Sequence, residues 1–412
     1  MPTELSVVGD RAATIPASAT ASLDGRLKDL AASGTDVINL TSGEVDFPTL
    51  PSACAAGVDA IASGFTRYTA VAGTTELRSA VSAWLSARHG TSYPPEQIVV
   101  ANGAKQALSA AFMAMLNPGD EVLLPAPYWV SFPHMITLAG GTARAVTGSP
   151  DTGFKVTPEA MRAHTTARTR ALVLNNPVNP TGAVYSRAEL EAIADTAERL
   201  DLTVVSDEIY AELVYPPATF TSFASLSDDA MHRTVTINGV SKTFAMTGWR
   251  IGYAAAQPPV VKAMTAIQSH CSSAPSSISQ RAALGALTSS DSVSELQRRR
   301  ADLDRRRRVM IDGLTGLPGI GVPFEPTGAF FLLADVTGCF GRRHGGTLIG
   351  DAAAFAQALL DSELVGVVPG DSFGAPGYVR ASYVVPEAQL ADAIDRLRRF
   401  TGALHGQGSD SR

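Results

Sequence analysis

The middle of the chain alternates short apolar runs with longer segments in which apolar residues recur every three or four positions. The runs are IVVAN (98–102), EVLLPAP (121–127), RALVLNNP (170–177), LTVVSDEIY (202–210) and TVTINGVS (234–241). The pattern AKQALSAAFMAML follows the first run, and a helical pattern over 187–200 follows the third. Strands that are apolar throughout are buried on both faces, as in parallel sheets. The pattern predicts an α/β fold with a wound, mostly parallel sheet and crossover helices.

The alternation of strand and helix patterns ends after a long polar helix pattern over 297–310. Strand-like AFFLLADV (329–336), LVGVVPG (364–370) and YVRASY (378–383) lie among longer, glycine-rich connections. This arrangement is typical of an α+β unit. We therefore assign residues 48–300 to a large domain and residues 1–47 with 301–412 to a small one. The N-terminal segment either joins this small domain or reaches a neighbouring subunit.

Composition narrows the class of protein. The 412 residues are 45% hydrophobic and 17% charged, enough to bury a large core, so the chain is not disordered. A formal charge of -6 gives no field that would attract nucleic acid. The basic run RRRADLDRRRR (298–308) is interleaved with Asp302 and Asp304, and we interpret it as a solvated helix face rather than an anion site.

Neither a membrane location nor a metal site is expected. No apolar run reaches the roughly 18 residues of a spanning helix, and the N-terminus lacks a basic-then-apolar signal, so we expect a cytoplasmic protein. Cys54, Cys271 and Cys339 have no ligand-like spacing, which predicts neither a disulfide framework nor a zinc site. We expect all three to be buried small side chains.

The sharpest chemical signal is Lys242 in TINGVSKTFAMTGWRIGY. An isolated lysine is usually a surface residue, but this one lies between an apolar strand and the apolar Phe244 and Met246. A lysine meant for imine chemistry must be partly desolvated and near other cations to react at neutral pH. Arg250, eight residues on, supplies a permanent cation suited to phosphate.

A second signal is SDEIY (206–210), at the end of an apolar strand. Burying an acidic residue there without a partner is costly, and ligands of such sheets bind outside the carboxyl ends of the strands. Asp207 is therefore a candidate to pair with a cationic ligand atom, and Tyr210 to hydrogen-bond on the same side. The string alone is equally compatible with the start of a loop.

Four other signals are less specific, and three of them have two interpretations each. NNPVNPTG (175–182) is a tight turn or a source of amides for a bound ring. Gly103 in ANGAKQAL lets backbone N–H groups approach an anion at a helix start. Trp129 belongs to the core or stacks on a planar cofactor. Arg380, inside YVRASY, either forms an ion pair with a protein carboxylate or binds a substrate carboxylate.

Taken in order, these strings resemble the class I aminotransferases of fold type I, which use pyridoxal 5'-phosphate (PLP). The resemblance runs over about residues 16–397 and is closest to the bacterial aspartate aminotransferase subgroup. It rests on LTSGEVDF, RYTAVAGTTELR, NGAKQAL, PYWVSF, NNPVNPTG, SDEIY, SKTFAMTGWRIGY, VVPGDSFG and YVRASY. It implies transfer of the amino group of aspartate or glutamate to a 2-oxo acid, by a homodimer whose active sites are shared between subunits.

The resemblance also implies a role for each matching residue. Lys242 would bond the cofactor aldehyde and, once freed, move the proton from the substrate Cα, and Asp207 would pair with the pyridine nitrogen and raise its pKa. Tyr210 and Asn179 would hydrogen-bond the phenolic oxygen, and Trp129 would stack on the ring. The residues implied for the phosphate are Ser241, Arg250, the backbone of Gly103, Ala104 and Lys105, and Tyr68 of the partner subunit. Those implied for substrate are Arg380, Asn179, Gly43 and Trp129 near the α-carboxylate, and Lys105, Ser18 and Thr20 at the distal carboxylate.

Three departures from the family pattern keep a second function open. Val45 stands where proline is usual, His134 where glutamate is commoner, and Ala274 where asparagine is common. The alternative is a PLP-dependent lyase, cyclase or γ-replacement enzyme on the same fold. A serine hydrolase is a third hypothesis because GDSFG fits the nucleophile motif at Ser372, but the chain offers only His405 downstream. We therefore interpret that string as a glycine-rich turn.

Overall fold

The chain forms helices and strands across residues 8–405, the range that this computed structural model describes. The helices are α1 (Asp10–Ala13), α2 (Ala19–Ala32), α3 (Pro51–Ala62), α4 (Thr75–His89), α5 (Ala104–Met115), α6 (Phe132–Leu138), α7 (Pro158–His164), α8 (Arg187–Arg199), α9 (Asp228–Arg233), α10 (Val240–Thr243), α11 (Pro258–Cys271), α12 (Ser277–Thr288), α13 (Ser292–Leu314), α14 (Ala352–Glu363) and α15 (Glu387–Gly402). The strands are β1 (Ile38–Asn39), β2 (Ile98–Ala101), β3 (Glu121–Ala126), β4 (Thr142–Thr147), β5 (Thr169–Asn175), β6 (Thr203–Asp207), β7 (Thr234–Gly239), β8 (Gly252–Ala255), β9 (Phe331–Asp335), β10 (Arg343–His344), β11 (Thr347–Leu348), β12 (Val365–Gly366), β13 (Val368–Pro369) and β14 (Tyr378–Ser382).

The five predicted strand runs of the middle region are β2, β3, β5, β6 and β7 of one seven-stranded sheet. Its order is β2-β8-β7-β6-β5-β3-β4. Strands β7, β6, β5, β3 and β4 are parallel to one another, and β8 is antiparallel to both β7 and β2. Apolar side chains from both faces of the sheet are buried under helices, as the continuous apolar runs require. The predicted α/β fold with a mostly parallel sheet is confirmed.

The register of this sheet gathers the polar strand ends at one edge. Asn175 at the end of β5 is paired with Asp207 at the end of β6, and Asp207 with Ile237 of β7. Helix α10 begins directly after β7 and carries Lys242. Because parallel strands end on the same edge, the motifs NNPVNPTG, SDEIY and SKTF converge there.

A second group of elements faces this edge. Strands β13, β14 and β9 form an antiparallel sheet, and β1 pairs in parallel with β12. A continuous apolar core joins β9, α13, α14 and α15, and its large side chains include Phe330, Phe355 and Phe400. Strand β14 carries Arg380. The pairing of β1 attaches the segment near Ile38 to the C-terminal part of the same chain.

The basic run on α13 is not the solvated face that we expected. Arg299, Arg306 and Arg307 are only 3%, 7% and 8% exposed. Each forms an ion pair with a carboxylate and donates to a backbone carbonyl of another segment. Arg299 contacts Glu295 and the carbonyl of Pro48. Arg306 contacts Asp46, Asp302 and the carbonyl of Val384, and Arg307 contacts Asp304 and the carbonyl of Pro326. The buried arginines thus tie α13 to three loops, and the other side of the helix is exposed.

The cysteine expectation is wrong for two of three residues. Cys339 is buried, whereas Cys54 and Cys271 are exposed. Helix α3 buries the stripe Ala53, Gly57 and Ala60, and Cys54 lies off that stripe. A helix that is both long and apolar enough to cross a membrane is not found within residues 8–405.

Candidate active site

A cavity of about 310 Å³ opens at the edge where the strand ends converge, below β14 and the N-terminus of α2. Most of the residues predicted for the site line it. They are Ser18, Thr20, Gly43, Ala104, Lys105, Trp129, Asn179, Asp207, Tyr210, Ser241, Lys242, Arg250 and Arg380. The six sequence signals therefore belong to one chamber.

Lys242 presents its amine to this cavity. Its Nζ donates a hydrogen bond to the backbone carbonyl of Gly43. Burial lowers the pKa of Lys242 to about 8; the cations Arg250 and Arg380 act in the same direction, and Glu44 opposes them. A lysine with a lowered pKa is partly neutral near physiological pH, so this amine can attack a carbonyl.

Asp207 is a buried carboxyl group for which the described residues 8–405 provide no salt-bridge partner. It is 4% exposed, and its Oδ1 accepts from the backbone N–H of Ile209 at 3.2 Å. Burial raises the pKa of Asp207 to about 7, and the adjacent Glu208 raises it further, while the Ile209 N–H and Lys242 lower it. A cationic ligand atom against Asp207 would stabilise its ionised form.

The start of α5 and Arg250 form an anion site. Gly103 has φ of 84°, and a Cβ there would collide with Nη2 of Arg250, so only glycine lets the guanidinium lie against this turn. Arg250 is fixed by donating from Nη1 to the carbonyl of Thr247 at 2.9 Å. The first N–H groups of a helix, here those of Ala104 and Lys105, have no acceptor within the helix. Together with Ser241 they suit a phosphate.

Arg380, on β14, is a buried cation in the wall of the cavity. It is 2% exposed, and its guanidinium lies between the rings of Phe331 and Phe373. Nη1 donates to Oδ1 of Asn179 at 3.1 Å and Nη2 to the carbonyl of Thr41 at 2.7 Å. Within residues 8–405 it has no carboxylate partner, and its Nε has no acceptor. Burial lowers the pKa of Arg380 to about 10, so an anionic ligand would compensate the buried charge.

The NNPVNPTG turn links Arg380 to Asp207. The backbone N–H of Asn179 donates to Oδ1 of Asn175 at 2.8 Å, and Nδ2 of Asn175 donates to the carbonyl of Asp207 at 3.0 Å. Tyr210 is held edge-on by two phenylalanines, and burial raises its pKa. The turn and the binding interpretations of this string are therefore both compatible with the structure.

The walls of the cavity include one aromatic face. Nζ of Lys105 lies 4.9 Å from the centroid of the Trp129 ring, and Trp129 packs edge-on against Phe132. Burial lowers the pKa of Lys105, and Arg250 adds to the lowering. A phosphate cradle, an aromatic wall, a buried acid and a reactive amine around one cavity are the groups that PLP requires, so the residues fit this cofactor.

Some predicted residues lie elsewhere, and some lining residues were not predicted. Tyr68 is 93% exposed; neither it nor Gly103, Val45, His134 and Ala274 are among the lining residues of the described chain. The unpredicted lining residues are Ala21, Asp24, Thr41, Leu108, Ser131, Asn175 and Ile209. Helical spacing is a signal for one of them, since Asp24 follows Thr20 by one turn of α2.

Comparisons with known proteins agree with this geometry. The family model for aminotransferases of class I and II matches residues 35–397. An aspartate/prephenate aminotransferase of Cereibacter sphaeroides is 42% identical over 402 residues, which cover 97% of this chain and 100% of that protein. The aspartate aminotransferase of Rhizobium meliloti has a similar structure, with a TM-score of 0.92, 37% identity and coverage of 97% and 99%. The aspartate aminotransferase of Thermus thermophilus with maleate has a TM-score of 0.90 and 40% identity, and the match covers 95% of this chain and 99% of that one.

Fold and site thus define a PLP-dependent enzyme of fold type I. The chain belongs to the class I and II aminotransferases, and within them it groups with the aspartate aminotransferases. It is an aminotransferase of amino-acid metabolism. Ser372 lies in a short turn that ends at Gly374 with φ of 70°, in agreement with the turn interpretation of GDSFG.

Proposed function

We propose that this enzyme transfers the amino group of aspartate or glutamate to a 2-oxo acid in the cavity described above. The observation that carries the proposal is the placement around one chamber of a lysine amine of lowered pKa, a buried acid and a buried arginine, the last two without an ion-pair partner in the described part of the chain. The relatives named aspartate aminotransferases support the substrate class, and the name of the Cereibacter sphaeroides relative adds prephenate as an acceptor to test.

The cofactor-facing residues have distinct tasks. When bound, PLP stabilises the negative charge that develops at the substrate Cα. Asp207 would stabilise a positive charge at the ring nitrogen, and Tyr210 and Asn179 would donate hydrogen bonds to the ring oxygen. Trp129 would cover one ring face. The phosphate would be bound by Ser241, Arg250, Tyr68 of the partner subunit, and the backbone of Gly103, Ala104 and Lys105.

Lys242 is the residue that anchors and then moves a proton. When PLP is present, Nζ would hold it covalently, and the neutral amine, once free, would take the proton from the substrate Cα. The carbonyl of Gly43, which accepts from Nζ, holds the amine within the cavity. The lowered pKa matters because only the neutral amine accepts a proton.

The substrate is held at both ends. Arg380 grips the α-carboxylate through two parallel hydrogen bonds, with Asn179 and Gly43 beside it. Lys105 meets the distal carboxylate together with Ser18 and Thr20, whose hydroxyl oxygens are 3.2 Å apart. Ser18 also caps α2 by accepting from Ala21 N at 3.4 Å, so its position is fixed by the helix start.

The active enzyme is a homodimer. Tyr68 is 93% exposed, and the nearby α3 exposes Val58 and Ile61 by 67% and 58%. An apolar patch of this kind marks a protein contact, and a second copy would cover it while bringing Tyr68 to the neighbouring cavity. We also propose that the chain is divided into a large domain of residues 48–300 and a small domain of residues 1–47 with 301–412. The pairing of β1 with β12 supports this division. We further propose a cytoplasmic location. Residues 1–7 and 406–412 lie outside the described range.

A single-turnover experiment separates transamination from the alternatives. Purified holoenzyme is mixed with aspartate or glutamate and no oxo acid. Transamination gives one equivalent of oxo acid and of pyridoxamine phosphate per site, and 2-oxoglutarate or prephenate then restores the original absorbance. A lyase or replacement enzyme would keep the aldehyde form of the cofactor and release a different product.

Side-chain recognition and assembly are tested in the same preparation. Lys105→Ala should raise KM for aspartate while leaving alanine turnover similar, and Lys262→Ala, an exposed lysine of α11 outside the cavity, is the matched control. Light scattering should give twice the 42.9 kDa of one chain. A monomer that is fully active would contradict the shared site.

A further inference from the structure

An acidic side chain lines the cavity that should admit anionic substrates. Asp24, on α2, lines the same chamber as Arg380 and Lys105. Its Oδ1 accepts from Nδ2 of Asn39 at 2.7 Å. An uncompensated carboxylate here would repel both carboxylates of a dicarboxylic substrate.

The charge of Asp24 is also linked to the substrate-binding arginine. Oδ1 of Asn39 accepts from the hydroxyl and the backbone N–H of Thr41 at 2.6 and 2.9 Å. The carbonyl of Thr41 in turn accepts from Nη2 of Arg380 at 2.7 Å. Asp24 therefore both orients the segment that holds Arg380 and reduces the positive field of that arginine.

Lys28 compensates this acid and a second one. Its Nζ lies 2.8 Å from Oδ2 of Asp24, one helical turn earlier, and 3.0 Å from Oε1 of Glu44. Oε2 of Glu44 accepts from the hydroxyl of Thr247 at 2.8 Å, and Glu44 directly follows Gly43, the acceptor of Lys242. Two acids and one ammonium thus form a cluster that includes the lining residue Asp24, and loss of the ammonium would change the formal charge of the cluster from -1 to -2.

The ion pairs of Lys28 with Asp24 and Glu44 are too exposed to contribute much to the free energy of unfolding. The side chains of Lys28, Glu44 and Asp24 are 57%, 45% and 23% exposed. Ion pairs of that exposure contribute about 0–1 kcal/mol to stability because water screens them and the side chains lose entropy. Because Asp24 lines the cavity proposed for anionic substrates, the ion pair is placed to affect substrate binding.

We propose that Lys28 is a specificity-determining residue, whose ammonium neutralises Asp24 and Glu44 so that dicarboxylic substrates enter and bind. This inference rests on the proposed substrate class and on Arg380 as the carboxylate site. Lys28 contacts neither cofactor nor reacting atoms. It acts on the charge that the substrate meets, and it fastens α2, with Ser18 and Thr20, to the loop at Gly43.

The test compares a substrate that carries a side-chain carboxylate with one that does not. Single-turnover kcat/KM is measured for aspartate and for alanine with wild type, Lys28→Met and Lys28→Arg, from about 0.01 M to about 1 M ionic strength. Lys28→Met should lower kcat/KM for aspartate about two- to fivefold at low salt, with a smaller effect on alanine and almost none at high salt. Lys28→Arg keeps the charge and should behave as wild type.

Two further variants separate charge from position. In the double variant Asp24→Asn with Lys28→Met the acid is removed together with the ammonium. The aspartate-to-alanine ratio should then recover, because the amide oxygen introduced at that position can still accept from Nδ2 of Asn39. Lys262→Met makes the same change of net charge on α11 and should alter neither the ratio nor its salt dependence.

The outcomes distinguish this inference from the proposed function. Equal losses for both substrates, with the salt dependence of wild type, would make Lys28 only a fastener of α2 and overturn the proposal. An unchanged ratio in Lys28→Met at low salt would overturn it as well. If wild type itself fails to transaminate aspartate, the proposed substrate class fails, whatever the variants do.

Discussion

Replacing Asp207 by asparagine should stabilise the cofactor-free protein while it disables the enzyme. Asp207 has a pKa of about 7 in the folded chain against an ordinary value of 3.8, and burial is the main cause. The difference is about 3 pKa units, and each unit corresponds to 1.36 kcal/mol, so ionised Asp207 costs the folded cofactor-free protein about 4 kcal/mol. Asparagine keeps the acceptor for Ile209 N but carries no charge.

The pH dependence of that difference has a definite sign. Between about pH 4 and about pH 7 the folded protein holds a proton on Asp207 that the unfolded chain has lost. The free energy of unfolding contributed by this group therefore falls as pH rises through that window and is constant above it. Asp207→Asn should match wild type near the acid end and exceed it by about 4 kcal/mol above about pH 7.

Urea unfolding of the cofactor-free proteins at several pH values measures this effect. The control is Asp312→Asn, the same change at an exposed acid of α13 outside the cavity. In the holoenzyme, Asp207→Asn should lower kcat by about 10²- to 10³-fold, as expected when one partner of a buried charge pair is lost. Equal stability of Asp207→Asn and wild type at high pH would refute the assignment of Asp207 as a buried acid that lacks its cation.

Three other outcomes follow from the site. Arg380→Lys should lower kcat/KM for aspartate at least about 30-fold, because a single ammonium cannot make two parallel hydrogen bonds to a carboxylate; a loss below about threefold in steady-state kinetics would contradict this role. Gly103→Ala should weaken PLP affinity more than about tenfold in a fluorescence titration, since the new Cβ displaces Arg250, and unchanged affinity would count against the phosphate site. The rate at which cofactor-free enzyme bonds PLP should rise with pH up to about 8 and then level off, because only neutral Lys242 is nucleophilic; a rate independent of pH across this range, followed by absorbance, would exclude this amine.

The strands that carry the site were predictable because they are apolar over most of their length. Runs such as LTVVSD and TVTING bury consecutive residues rather than alternate ones, as a strand covered on both faces does. Strand β4 was not predicted, since TARAVT is an edge strand that buries little besides Val146. Strand β8 was not predicted either, because its sequence GYAA contains none of the β-branched residues that mark β2.

Residues of the candidate site could be predicted from the sequence where a charged residue lies within or beside an apolar run. Lys242, Asp207 and Arg380 were each identifiable because burying them alone is costly. Asp24 and Thr41 were missed because they lie in polar segments whose approach to the cavity depends on how α2 and β1 attach to the C-terminal elements. Likewise, the burial of Arg306 on α13 depends on a contact with Asp46, which is distant in sequence.

The most direct test of the account is to find which lysine bonds the cofactor. The chain has five lysines, Lys28, Lys105, Lys155, Lys242 and Lys262. Borohydride makes the bond between amine and cofactor aldehyde permanent, and peptide mass spectrometry of the reduced holoenzyme then locates it. The account predicts one pyridoxyl group per chain on Lys242 and none on Lys242→Ala protein. A pyridoxyl group on Lys105 or another lysine, or none in the wild type after incubation with PLP, would contradict it.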